Sequence, residues 1–303
     1  MSTQFRMTDG PLLDAQGQLI EKGYQTRLSR VYDRSAIRAG ALRIKEWDYY
    51  LVNNGKFALA LTVADNGYMG LDSVSLLDLE EDWEITKSPM RLLPMGKTAL
   101  PETSAAGSSE IARGGYALAF YHDDDGTRKL TFHMDKFRGS DAIEGMIALS
   151  DEPAESMVIA TPFEKSGHFY YNQKINCMRA AGTVRIGGQT YTFDPADSFG
   201  VLDWGRGVWT YHNTWYWGSA SGQIDGVLFG WNIGYGFGNT YAASENMLFY
   251  GGKAHKLGQV TFHIPMAGKR EDYLAPWRFT SDDGRFEMDF APILDRAACT
   301  DVK

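Results

Sequence analysis

Short apolar runs joined in pairs by two-residue glycine turns constrain this chain more than any other feature. Val184-Arg185-Ile186 leads into Gly187-Gly188 and then Tyr191 and Phe193; Leu248-Phe249-Tyr250 runs into Gly251-Gly252; Phe279 to Phe290 doubles back around Asp283-Gly284. Gly-Gly and Asp-Gly supply the positive φ angles of tight hairpin turns, so each pair predicts two antiparallel strands. Elsewhere Leu130, Phe132 and Met134 alternate with Thr131, His133 and Asp135, and Val260, Phe262 and Ile264 alternate with Gln259, Thr261 and His263. That period of two belongs to half-buried strands.

Further strand patterns cover Leu42 to Val52, Phe57 to Val63, Ser73 to Leu79, Trp83 to Thr86, Tyr116 to Phe120, Ile143 to Leu149 and Met157 to Thr161. Pro89 to Ser109 reads as a loop, and the first twenty-odd residues as an extended arm with turns at Asp9-Gly10-Pro11 and Gly17. No long segment has helical periodicity and no repeat is visible. Short strands at about 8–12-residue spacing predict an all-β sandwich or barrel. The 13% aromatic share points the same way, and 303 residues suit one large domain or two. With two lobes, the boundary falls near Pro153 to Ser166, behind the breaker Asp151-Glu152-Pro153.

Charge and motif content exclude several classes. A net charge of −8 leaves no basic surplus for phosphates, so no nucleic-acid partner is expected. No Lys/Arg cluster marks an anionic membrane surface, no stretch reaches the roughly 18 apolar residues of a bilayer span, and the N-terminus shows no secretory signal. Cys177 and Cys299 lie far apart; they leave one disulfide open, with a reduced, cytoplasmic protein the simpler expectation. Six scattered histidines lack metal-ligand spacing, and no phosphate loop, dinucleotide fingerprint or Gly-x-Ser-x-Gly elbow appears, so neither metal nor cofactor is expected.

Candidate chemistry gathers in FGVLDWGRGVWTYHNTWYWGSASG, residues 199–222, which holds four of the eight tryptophans (Trp204, Trp209, Trp215, Trp217) beside Asp203 and Arg206. Such a run is costly to expose and should line a pocket or close a barrel. Asp203 among tryptophans would be desolvated and kept protonated, a proton donor; Arg206 three residues on pulls toward the carboxylate, and an Asp–Arg pair bracing a turn is the plain structural alternative. Trp215 and Trp217 share a face if that segment is extended. Lys174 and Asn176 share one too, with Cys177 pointing away into packing as a small buried hydrophobe. Trp231 and Asn232, with Glu245, form a third constellation able to orient a polar group.

The stretches NQKINCMRAAGTVRIGG, FDPADSFGVLDWGRGVW and TWYWGSASG, with ITKSPMRLLPMG and LTVADNGYMGL earlier, resemble the domain-of-unknown-function family two-eight-zero-four over nearly the whole chain. Its members run past Lys303, which implies a further strand or tail. More distantly, an Asp followed by an aromatic and a Gly, a Trp-rich strand and a Gly turn are similar to the carotenoid hydratase and AttH-like superfamily, whose usual His after the Asp is Trp204 here. That resemblance implies two lipocalin-like β-barrels, a lobe over 1–155 and a second over 156–303 carrying the tryptophans. It also implies an apolar, terpenoid- or polyketide-like ligand and hydratase, isomerase or cyclase chemistry. Gly207-Val208-Trp209 resembles the Gly-x-Trp element that closes lipocalin barrels, which would make Trp209, with Arg206, a plug.

The expected function is cofactor-independent protonation of an unsaturated apolar molecule by Asp203. Trp204 or Trp217 would face the resulting cation, and Lys174, Asn176 or Asn232 would orient the polar end. Two alternatives stand beside it: a lipocalin-like carrier of hydrophobic ligands without chemistry, and a carbohydrate-modifying β-sandwich enzyme using Asp203 and Glu245 as its carboxylate pair.

Overall fold

The computed structural model describes residues 4–297, so Cys299 lies outside the described residues and Cys177 is a free, buried thiol. Among the described residues the chain is all-β, with two short 3-10 turns at Arg34–Ala36 and Ala41–Arg43 as its helical pieces. Strands of four or more residues begin with β1 (Ile44–Asn53), β2 (Phe57–Asp65), β3 (Met69–Asp78), β4 (Trp83–Lys87), β5 (Ser108–Arg113) and β6 (Tyr116–His122). They continue with β7 (Arg128–Arg138), β8 (Asp141–Ser150), β9 (Met157–Pro162), β10 (Phe169–Ile186), β11 (Gln189–Phe193) and β12 (Phe199–Val208). Ten of these form one antiparallel sheet in the order β4-β3-β2-β1-β12-β10-β8-β7-β6-β5, with β9 and β11 paired along β10.

This sheet curls until its two arms meet across a core. The Tyr116 hydroxyl donates to Asp72 at 2.9 Å, Ser109 donates to Asp48, and the Tyr50 and Phe120 rings sit edge to face at 5.1 Å. Leu61, Leu76, Leu118, Leu130, Ile147, Val184 and Trp204 fill the space between. Each hairpin expected from its glycines is present: Ile186 pairs with Gln189, Tyr250 with Lys253 and Thr280 with Glu287. Local turn geometry is written in two or three residues, so it survives whatever the rest of the chain does.

The central strands differ from expectation. β10 runs eighteen residues without a break, and its first ten residues are buried throughout, as is the whole of β12. A strand covered on both faces has no polar side to alternate with, so period two vanishes from its sequence. The stretch 199–208 is therefore a buried central strand. Within β10 the register slips between Ile175 and Met178, where Cys177 has φ +64°, and the strand changes neighbours there from β9 to β8. Strands on both sides of residues 155–156 belong to one sheet, whose last strand is β12, ending at Val208.

Residues beyond β12 form a second layer against β10 and β12. β13 (Tyr216–Ile224), β14 (Val227–Tyr235), β15 (Met247–Tyr250) and β16 (Lys253–Lys256) make a four-stranded meander, followed by a three-stranded sheet from Val260–His263, Trp277–Ser281 and Glu287–Phe290. Tyr170, Met157, Phe237 and Met247 pack in the seam with Trp47, Trp209 and Trp215. No helix among the described residues is long and apolar enough to cross a membrane.

Arg206 shows how far the core depends on paired charge. It is fully buried, forms an ion pair with Asp48 at 3.0 Å, and donates to the carbonyls of Trp47 and Pro101, each at 2.7 Å. Stripping one partner from a buried pair leaves a naked charge and costs about 3–5 kcal/mol. Arg206→Met should lose roughly that much stability in urea unfolding, and adding Asp48→Leu should recover most of it. Equal destabilisation of the single and double variants would show that the pair is not what holds this region.

Candidate active site

The main sheet and the meander meet over a buried ammonium. Lys174 on β10 lies directly opposite Asp203 on β12, so both side chains leave the sheet on the same face, toward the meander. Its Nζ donates to Asn172 Oδ1 at 2.7 Å and ion-pairs with Glu245 Oε2 at 2.9 Å and Asp203 Oδ1 at 3.5 Å. Three acceptors thus surround the three protons of an ammonium that is 0% exposed. Around it stand the rings of Trp217 at 5.2 Å, Trp215 at 5.3 Å and Tyr170 at 5.8 Å, an aromatic cage of the kind that favours positive charge.

The two carboxylates differ in their partners. Glu245 reaches in from the irregular segment before β15 and accepts from Trp215 Nε1 at 2.9 Å and Asn232 Nδ2 at 3.0 Å besides Lys174. Gly234 makes room for it, since a Cβ there would fall 2.4 Å from Glu245 Oε1. Asp203 accepts from Asn172 Nδ2 at 2.7 Å. Burial pushes its carboxyl above the ordinary aspartate value and Glu245 adds to this, while Lys174, Asn172 and the Trp47 indole pull down. Burial first, then the charges of Asp203 and Glu245, hold the Tyr170 hydroxyl well above the phenol value, and its oxygen has no hydrogen-bond partner.

The expected site residues divide by strand face. Lys174, Asp203, Trp215, Trp217, Asn232 and Glu245 come together, with Trp217 Nε1 donating to Asn232 Oδ1 at 2.7 Å. Asn176 lies along the same seam and donates to Ser219 Oγ at 2.8 Å and Ala220 O at 3.1 Å. Four expectations are corrected. Arg206 does not face Asp203: three residues along a strand reverses the face, and its guanidinium lies in the main core with Asp48. Trp204 points the same way, edge-on to Tyr32 and Tyr171, with Arg206 over its ring at 4.4 Å, so it is not the ring nearest Asp203. Trp231 lies on the far face of β14 against Phe286. Cys177 does not turn away from Asn176, because the register slip aims its sulfur at Gly230 of the meander; burial raises its thiol above the usual value.

Trp209 packs its ring against Trp47 at 5.0 Å and Phe237 at 5.3 Å, and the arginine it meets is Arg43, bonded to its carbonyl at 2.7 Å. Asn172 and Tyr170 went unmarked in the sequence, although alternation back from Lys174 places both on its face. Trp47 carries no such signal; its ring reaches the site across Gly205, where a Cβ would fall 2.4 Å from it. Among the described residues no group of three or more His, Cys, Asp or Glu side chains gathers as a metal site.

Fold and site together define an all-β protein with a dry charged cluster between two sheet layers. The chain belongs to the family described as domain of unknown function (DUF2804), which it matches over residues 4–303. No curated protein matches it by sequence. Among solved structures it is similar to a protein provisionally described as AttH from Nitrosomonas europaea, at 13% identity and a TM-score of 0.52, covering 84% of this chain and 81% of that one. It also aligns with kievitone hydratase from Nectria haematococca, at 10% identity and a TM-score of 0.48, over 91% of this chain and 86% of that one.

Removing the ammonium should expose the logic of the cluster. Lys174→Met strands two carboxylates in a dry seam, a loss of about 3–5 kcal/mol at neutral pH. Asp203 already sits above its ordinary value of 3.8, and without Lys174 it rises further. A raised acid contributes stability at low pH that is lost as pH climbs through the folded value, so the deficit of Lys174→Met should shrink on mild acidification. Urea unfolding at neutral and at mildly acidic pH measures both effects.

Proposed function

We propose that this chain is a cofactor-independent enzyme acting on an apolar, unsaturated small molecule, of hydratase, isomerase or cyclase type, with Asp203 as its proton donor. The observation that carries this reading is a buried carboxyl with a raised pKa, set beside an aromatic cage that already holds a positive charge. One ammonium faces two carboxylates, and like charges in a dry site cannot both ionise freely. Glu245 takes three donors on its carboxylate, from Lys174, Trp215 and Asn232, and Asp203, whose carboxyl burial pushes up, is the group this reading assigns as the acid.

Lys174 and Asp203 are buried, while Trp215, Trp217 and Tyr49 above them are half-buried, with the Tyr49 and Trp217 rings 6.0 Å apart. A flat alkene laid on those rings would meet Asp203 from above. Asp203 gives its proton to one alkene carbon, the π pair becomes the new C–H bond, and the neighbouring carbon is left cationic beside Trp217. Cation–π attraction of about 0.5–2 kcal/mol per ring favours that intermediate over the neutral ground state. Water adds and returns a proton to the Asp203 carboxylate, a neighbouring proton is lost to it, or a second double bond closes a ring and the new ring cation then loses a proton to it.

The carbohydrate alternative fits less well, because the Lys174 ammonium occupies the space between Asp203 and Glu245 where a scissile bond would sit. The test uses a panel of terpenoid and polyketide olefins in deuterated water, read by mass spectrometry for deuterium at carbon. Asp203→Asn should lower incorporation by about 10²–10⁴-fold, the usual weight of a general acid, while the melting temperature stays near wild type. Full incorporation in that variant would remove Asp203 from the mechanism. Quenching of tryptophan fluorescence by the olefins without any labelled product would leave the carrier reading.

A further inference from the structure

A cleft of about 790 Å³ opens away from the buried cluster and shares none of its residues. Its walls come from the turn at 16–18, the segment 38–43 ahead of β1, the β9–β10 turn at 165–168 and the loop 210–212 after β12. Arg38, Arg43, Lys165, His168 and His212 line it, and no aspartate or glutamate does. That is an uneven draw from a chain in which 38 acids outnumber 30 Lys and Arg. Clustered cations raise one another's energy unless something neutralises them, so an unbalanced concave patch of this kind selects an anion.

The two arginines are held in place. Arg43 Nη2 donates to Trp209 O at 2.7 Å and lies 3.4 Å from His168 Nε2, and the exposed Tyr211 ring covers the guanidinium at 3.9 Å. Those bonds fix one side of the fork and leave Nη1 without a partner. Arg38 is anchored by Nε and Nη2 on Ala15 O, both at 3.3 Å. The rim is stitched shut where Ser166 Oγ and Gly167 N donate to Gln18 Oε1 at 3.0 and 2.9 Å. Burial, with the charges of Lys165 and Arg43, keeps the His168 imidazole below its ordinary value despite its bond to Ser166 O. An oxyanion would neutralise the unbalanced charge of the cleft, where the exposed Arg38 and Lys165 side chains offer charge-assisted hydrogen bonds.

We propose that this cleft is a binding site for a small organic oxyanion, a carboxylate or a phosphate monoester, whose apolar part rests on Tyr211. The volume suits a metabolite-sized ligand rather than a bare ion. Calorimetric titration of the full chain with phenylacetate, phenyl phosphate and the neutral isostere 2-phenylethanol tests it. At least one anion should bind and the alcohol should not, with the stronger of the two anions naming the headgroup. Arg38→Glu combined with Lys165→Glu changes two exposed side chains, leaves the fold intact by circular dichroism, and should weaken the anion at least tenfold. Arg43→Gln should weaken it too, through the loss of the fork. Equal binding of the alcohol, undiminished affinity in the double variant, or no anion bound at millimolar concentration would each overturn the assignment.

Discussion

A positive charge held out of water is the constraint around which this molecule is arranged. Taking an ammonium from water into a protein interior costs several kcal/mol after relaxation, and only well-placed counter-charges and hydrogen bonds offset it. Lys174 meets that demand with residues from three places: Asn172 on its own strand, Asp203 on the next, and Glu245 from the meander. The meander therefore cannot detach from the main sheet without stranding the lysine. The same contacts that settle the charge bring Trp215 and Trp217 over the seam, so the packing of the layers and the chemistry of the site have one cause.

β12 separates two charged networks that lie within a few residues of each other in sequence. Asp203 and Gly205 face the meander; Trp204 and Arg206 face the main core, where Arg206 balances Asp48. Simple strand alternation produces this partition. It keeps the Arg206 guanidinium away from Asp203 and leaves burial as the dominant influence on that acid. Glycine at 205 serves the same face, because the missing Cβ lets the Trp47 ring lie across the strand toward Asp203.

The molecule thus presents two environments of opposite kind. In the seam, charge is sparse, dry and matched, and the accessible surface is aromatic. At the end of β12, past Trp209, cations gather unmatched around an open cleft. Trp209 belongs to both, its ring packed in the seam cluster and its carbonyl holding Arg43. Trp209 thereby links the two walls.

Turns and exposed hairpins were legible in the sequence because their causes are local. Gly187-Gly188, Gly251-Gly252 and Asp283-Gly284 require hairpins wherever the flanking strands go, and the period of two in β7 follows from one wet and one dry face. The all-β class was legible on the same terms, as were the shared faces of Trp215 with Trp217 and of Lys174 with Asn176. The extent of β10 and β12 was not, because strands buried on both sides lose the alternation that would mark them. Nor was the partner of each charge: Arg206 sits three residues from Asp203 yet pairs with Asp48, and Lys174 finds Glu245 seventy-one residues away. Local sequence determines which way a backbone turns and which side chains share a face; only the closed tertiary structure decides what stands opposite that face, and there the electrostatics of the site are set.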